Sequence, residues 1–167
     1  MQEQFSVRTL ADDDRTAVMD IFNYYIENSF AAYPEHRLPY EFYDKILVST
    51  SGHPTAALVN EQNEVKGFGF LRAYNPMPAF KNTAEISYFI DPTETGKGLG
   101  HLMLNFLLEA ARKMNISCIL AGISSLNEPS IKFHQKHGFT QCGSFNGIGI
   151  KKGTRFDVVW MQKQLES

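Results

Sequence analysis

The chain has only two cysteines in 167 residues, Cys118 and Cys142, too few for a disulfide framework. Both fall in apolar, strand-like runs, and we expect reduced core thiols. No apolar run approaches the length of a membrane span, so no membrane partner is expected. Met1-Gln2-Glu3-Gln4 does not open a secretory signal, and the expected location is cytoplasmic. Neither charge sign is in excess: 16 basic against 18 acidic residues leave a net charge of −2, which argues against nucleic acid as a partner. No Cys/His/Asp/Glu group has metal-ligand spacing, and no metal is expected. What remains is ordinary, with 43% hydrophobic and 20% charged residues. That composition fits one folded domain over residues 1–167.

Periodicity and punctuation outline the elements. Phe5 to Thr9 alternates as a short strand. Asp12, Asp13 and Asp14 start a helix whose apolar stripe is Val18, Ile21, Phe22, Tyr25 and Ile26. An aromatic loop, Asn28 to Pro39, leads to a second helix over Tyr40 to Thr50. Thr55 to Asn60 and Val65 to Tyr74 read as a hairpin across Glu61-Gln62-Asn63-Glu64, and Thr83 to Ile90 as the next strand. Helices at Leu99 to Met114 and Pro129 to His137 enclose a strand at Cys118 to Ser124. Two strands, Thr140 to Ile150 and Arg155 to Lys163, close the chain around Lys151-Lys152-Gly153. The order predicts an α+β domain with a mixed, mostly antiparallel central sheet flanked by helices.

The most informative segment is Thr95-Gly96-Lys97-Gly98-Leu99-Gly100, between a strand and an amphipathic helix. The first N–H groups of a helix lack internal partners and carry the positive end of its dipole, so a glycine-rich entry seats an anion. A Walker loop is excluded because Lys97 is followed by Gly98 rather than a hydroxyl residue. The G-x-G-x-G spacing also fails the dinucleotide pattern. A plain strand-to-helix turn stays open on the glycines alone.

A second segment, Asn127-Glu128-Pro129-Ser130-Ile131-Lys132-Phe133-His134-Gln135-Lys136-His137-Gly138-Phe139, follows the strand ending at Ser124. Together with the glycine loop it resembles the two motifs of the GCN5-related N-acetyltransferase superfamily. Phe22 to Ser29, Pro78-Ala79-Phe80 with Thr83 to Ser87, and Phe156 to Lys163 are similar to its phosphinothricin and methionine sulfone/sulfoximine acetyltransferase branch. The resemblance implies splayed central strands holding acetyl-CoA, a small-molecule amine as acceptor, direct transfer in a ternary complex, and a homodimer. It also implies cofactor contacts from the backbone of Tyr88, Phe89 and Ile90, from Thr95, Gly96, Lys97, Gly98, Leu99 and Gly100, and from Asn127, Ser130 and Lys136. Thr95 stands where the family usually has Arg or Gln. Asn127 is also a natural N-cap.

Transfer to an amine requires removing a proton and assisting a departing thiolate. Glu85 matches the family's glutamate base, although an ion pair with Arg72 or Lys81 is the ordinary alternative. His134 lies where a general acid is carried, against the alternative of a packed histidine. Acceptor-side residues are expected among Glu27, Phe30, Arg72, Met77 and Thr83. Met77 replaces the branch's Arg, so the usual bidentate grip on an acidic acceptor is missing and a less acidic amine is implied. An acyl-CoA-binding sensor without activity is the competing reading.

Overall fold

A computed structural model describes residues 2–166. The seven strands form one sheet in the order β1-β2-β3-β4-β5-β7-β6. They are β1 (Ser6–Arg8), β2 (Thr55–Val59), β3 (Val65–Ala73), β4 (Thr83–Ile90), β5 (Cys118–Ser124), β6 (Thr140–Lys151) and β7 (Thr154–Gln164). All neighbours run antiparallel except β4 and β5. Four helices cover the sheet: α1 (Arg15–Asn28), α2 (Phe42–Ser49), α3 (Leu99–Lys113) and α4 (Glu128–Lys136). The mixed α+β architecture expected from the element order is present. Boundaries moved by a residue or two; a 3-10 turn at Asp12–Asp14 precedes α1, and the second helix is trimmed at both ends.

Each face of the sheet has its own core. Leu99, Met103, Leu104, Leu107, Leu108 and Ala111 recur at helical spacing along α3, and this stripe is buried against Ala56, Leu71, Ala84, Ile86, Ile119 and Ala121. Truncating a fully buried member such as Leu107 to Ala costs about 2–5 kcal/mol. On the opposite face Val18, Met19 and Ile21 of α1 pack with Tyr43 and Ile46 of α2 against Phe68 and Phe70. Buried Asn23 binds both the N–H and the C=O of Leu38, and so anchors the aromatic loop to α1.

One sequence expectation fails here. Cys118 is half-buried and Cys142 is exposed, so neither is a core thiol. β6 is the sheet edge and nearly all of its residues are exposed, including Phe145, Ile148 and Ile150. Alternating residues on an edge strand need not face a core, so the pattern at Cys142 does not imply burial. Both cysteines are free.

Candidate active site

The parallel pairing of β4 with β5 is short. It runs from Thr83↔Cys118 to Glu85↔Leu120 and then stops. Beyond that point β4 stays paired with β3 as far as Ile90, and β5 stays paired with β7 as far as Ser124. Each strand keeps its outer partner while the inner edges part, so backbone amides face an open wedge. Unpaired edge amides at depth need a partner. A cavity of about 570 Å³ fills this wedge and reaches the N-terminus of α3.

The glycine loop forms one end. Gly96 (φ 82°) and Gly98 (φ 77°) are left-handed, a region that costs other residues strain, and Gly98 is the N-cap of α3. Gly100 serves a different end: a Cβ there would lie 3.3 Å from the Phe133 ring of α4, a tight approach that the ring would have to relieve. Thr95 is exposed, and its hydroxyl donates to the Pro92 carbonyl. Lys97 does not line the cavity. Its ammonium is held by Glu94 at 2.5 Å, and Glu94, itself buried, does line it. Lys136 is exposed and away from the wall. Neither lysine, each suggested by the sequence as a phosphate contact, is on the cavity wall.

The α4 side brings Asn127, Ser130, Phe133 and His134 onto the wall. Asn127 caps α4 only with its main-chain carbonyl, which accepts from Ser130 and Ile131; its side chain makes no capping bond. The expected side-chain cap is absent, leaving the amide for a ligand. His134 is buried and donates Nδ1–H to the Ser130 carbonyl at 2.7 Å. Its Nε2 then carries a lone pair, which accepts the Tyr88 hydroxyl at 2.9 Å. Burial pushes the imidazole pKa down and the Tyr88 phenol pKa up, so both groups are neutral near pH 7. The Tyr88 side chain was missed by sequence reasoning, which gave that residue only a backbone role. Tyr25 was missed too. Its hydroxyl, pushed up to about 12 by burial, donates to the Ile90 carbonyl, which the sequence had reserved for cofactor.

The acceptor side is assembled from separate segments. Glu85 sits at the vertex of the wedge, the last residue of the β4–β5 ladder. It shares a face with Ser87 and Phe89, both of which line the cavity, while its own side chain does not. Arg72, its register partner on β3, donates Nε–H to Glu85 Oε2 at 2.9 Å, so the ion-pair alternative is realised. Phe30 lines the cavity, whereas Arg72, Met77 and Thr83 do not. Met77 is 63% exposed on the loop after β3. Glu27 lies in a separate shallow depression and is paired with Arg37. Among the described residues no Arg or Lys lines the wedge cavity. Among the described residues there is also no group of three metal-ligating side chains.

Splayed parallel strands, a left-handed glycine entry to α3 and a donor-bearing α4 define an acetyltransferase architecture. The family model for the acetyltransferase (GNAT) family matches residues 18–139, and the chain belongs to that family. It is 30% identical over 168 residues to the L-methionine sulfoximine/L-methionine sulfone acetyltransferase of Salmonella typhimurium, covering 96% of this chain and 95% of that one. It is 29% identical to the L-amino acid N-acyltransferase MnaT of Escherichia coli, covering 96% and 94%. Among solved structures, yncA of Salmonella typhimurium with its cofactor acetyl-CoA superposes with a TM-score of 0.91 at 26% identity, covering 98% of this chain and 95% of that one.

Proposed function

We propose that this chain, as one catalytic domain over residues 1–167, transfers the acetyl group of acetyl-CoA to the amine of a small molecule, an amino acid or close analogue, in a ternary complex. The observation that carries this reading is the wedge. It offers two facing backbone edges to an extended amide-bearing chain, and a glycine-lined helix N-terminus to a diphosphate at one end. Relatives that act on methionine sulfone, methionine sulfoximine and L-amino acids supply the acceptor class.

Acetyl-CoA brings an acetyl group activated as a thioester. The N–H groups of Gly96 to Gly100 hold the diphosphate, the free edge of β4 at Tyr88 and Phe89 pairs with the pantetheine, and Asn127 and Ser130 add polar contacts. Glu85 takes the proton of the attacking amine. The backbone positions of Glu85 and Ser87 are about 7 Å apart along the strand, and the Glu85 side chain is off the cavity wall, so the proton passes by way of Ser87 or a water. Arg72 orients the carboxylate. His134 acts by holding Tyr88, because its own N–H is committed to Ser130. The one O–H of Tyr88 is given to His134 Nε2 in this structure, so to serve a sulfur gaining charge it turns from Nε2 to that sulfur as the thiolate departs.

The absence of any cationic side chain on the cavity wall favours an acceptor less acidic than phosphinothricin. The exposed apolar edge of β6 supports a homodimer, with Phe145, Ile148 and Ile150 in the contact; sedimentation of the wild type against Phe145→Asp tests it. Two free thiols support a cytoplasmic site, and no described helix is long and apolar enough to cross a membrane. The primary test is thermal shift with acetyl-CoA, CoA, ATP and NAD, followed by thiol-release assays. The acceptor panel is L-methionine sulfone, L-methionine sulfoximine, phosphinothricin, L-phenylalanine and phenethylamine. We expect acetyl-CoA to raise Tm and at least one amine to release thiol. Stabilisation by ATP and not by acetyl-CoA would overturn the assignment, and binding without release from any amine would leave the sensor.

A further inference from the structure

Lys151 plays no part in the reading above, yet it is 2% exposed. Burying an ammonium is costly unless the surroundings supply acceptors. Among the described residues no carboxylate pairs with it; its Nζ donates to the carbonyls of Ser29 and Ala32, each at 2.6 Å. The adjacent residue, Lys152, is left-handed (φ 49°) at the β6–β7 turn. Its Nζ donates to the Glu27 carbonyl at 2.7 Å, and its N–H to Glu35 Oε1 at 2.6 Å. Just past the turn, Phe156 stacks on Tyr33 and meets Phe30 edge-on. Gly149 makes room for that ring, since a Cβ there would stand 2.3 Å from it. One hairpin tip thus grips the segment 27–35 by four hydrogen bonds and two ring contacts. The same segment contributes Ser29, Phe30 and Ala31 to the cavity wall.

We infer that the β6–β7 hairpin tip is the positioning element of the acceptor wall, and that Lys151 is its principal positioning residue. It touches no ligand and acts through the backbone of Ser29 and Ala32. The inference rests on the acetyltransfer reading only for what the wall recognises. The grip itself belongs to the fold.

The test is Lys151→Met in the full chain, assayed with acetyl-CoA and the best acceptor of the panel above. We expect the acceptor KM to rise about tenfold, kcat to change less than about threefold, and the acetyl-CoA Kd by calorimetry to hold within about twofold. Amide exchange across 29–35 quickens about tenfold while α3 and β5 keep their rates. Two outcomes overturn the inference: an unchanged acceptor KM, or acceptor KM and acetyl-CoA Kd rising together, which would mean general loosening. If Lys151→Met does not fold, Lys152→Ala at an exposed position carries the same test with about a threefold rise in acceptor KM, and no rise overturns it. If the wild type acetylates no amine, the acetyltransfer reading has failed. The inference then stands or falls on whether exchange at 29–35 quickens in the variant.

Discussion

The two ends of the cavity are built by different means. At the donor end, the groups offered to a ligand are main-chain amides fixed by regular structure: the first turn of α3, the free edge of β4 and the loop through Gly96 and Gly98. At the acceptor end they are side chains from segments far apart in sequence: Ser87, Phe89, Phe30 and the wall pinned by Lys151, with Glu85, held by Arg72, just behind them. A backbone site tolerates little change of conformation but is indifferent to most side chains around it. A side-chain site keeps its frame while any one residue redirects its specificity. A fixed donor and a variable acceptor follow from that division.

The sharpest way to separate the two ends is Glu85→Gln. The shape and a hydrogen bond to Arg72 survive, while the proposed base is lost. We expect kcat to fall about 100-fold with the acetyl-CoA Kd unchanged. A kcat within a few-fold of wild type would move the base elsewhere in the acceptor half.

Gly98→Val addresses the opposite end. A β-branched residue at φ 77° is strained, and relieving that strain shifts the backbone of the loop that enters α3. Calorimetry is expected to show the acetyl-CoA Kd rising by about tenfold or more, with the acceptor KM nearly unchanged. Equal losses on both substrates would mean that the ends are not independent.

Lys97 and Glu94 test whether a donor-end side chain acts on the ligand or on its neighbour. Glu94 is buried on the cavity wall and its charge is matched by Lys97. Lys97→Met leaves that carboxylate facing the diphosphate site, and the acetyl-CoA Kd is expected to rise about threefold to tenfold. Adding Glu94→Gln restores it to within about twofold. If the double variant stays as weak as the single, Lys97 contacts the phosphates directly.

The same division explains what the sequence revealed. The wedge strands β4 and β5, the α3 entry and α4 were legible because periodicity and glycine placement are local signals, and the bounds of β4 and β5 matched to the residue. Which side chains meet across the sheet is not local. Arg72 and Glu85 are thirteen residues apart and meet only through the register of β3 on β4. Lys151 reaches back 122 residues to Ser29. Tyr88 was read as backbone because its strand position was visible and its hydroxyl partner on α4 was not. Cys142 was misplaced because alternation does not distinguish an edge strand from an internal one.

The Tyr88–His134 bond lies on the wall between the two ends, and its signature is a pH dependence of stability. The imidazole pKa is lowered in the folded protein from the ordinary 6.5, first by burial and then by the nearby His137, against the opposing Ser130 bond. A base whose folded pKa is depressed binds fewer protons folded than unfolded between the two values. The stability it allows is therefore complete above pH 6.5 and declines as the pH falls toward the folded value. Melting the wild type across this range should show Tm falling below pH 6.5, and His134→Gln should flatten that slope. Tyr88→Phe deletes the donor and leaves Nε2 buried without a partner, lowering Tm by about 5 °C at pH 8. The freed lone pair should also let the imidazole titrate nearer 6.5 by NMR. An imidazole whose titration is unmoved in Tyr88→Phe would show that the hydroxyl does not hold Nε2, returning His134 to candidacy as the acid itself.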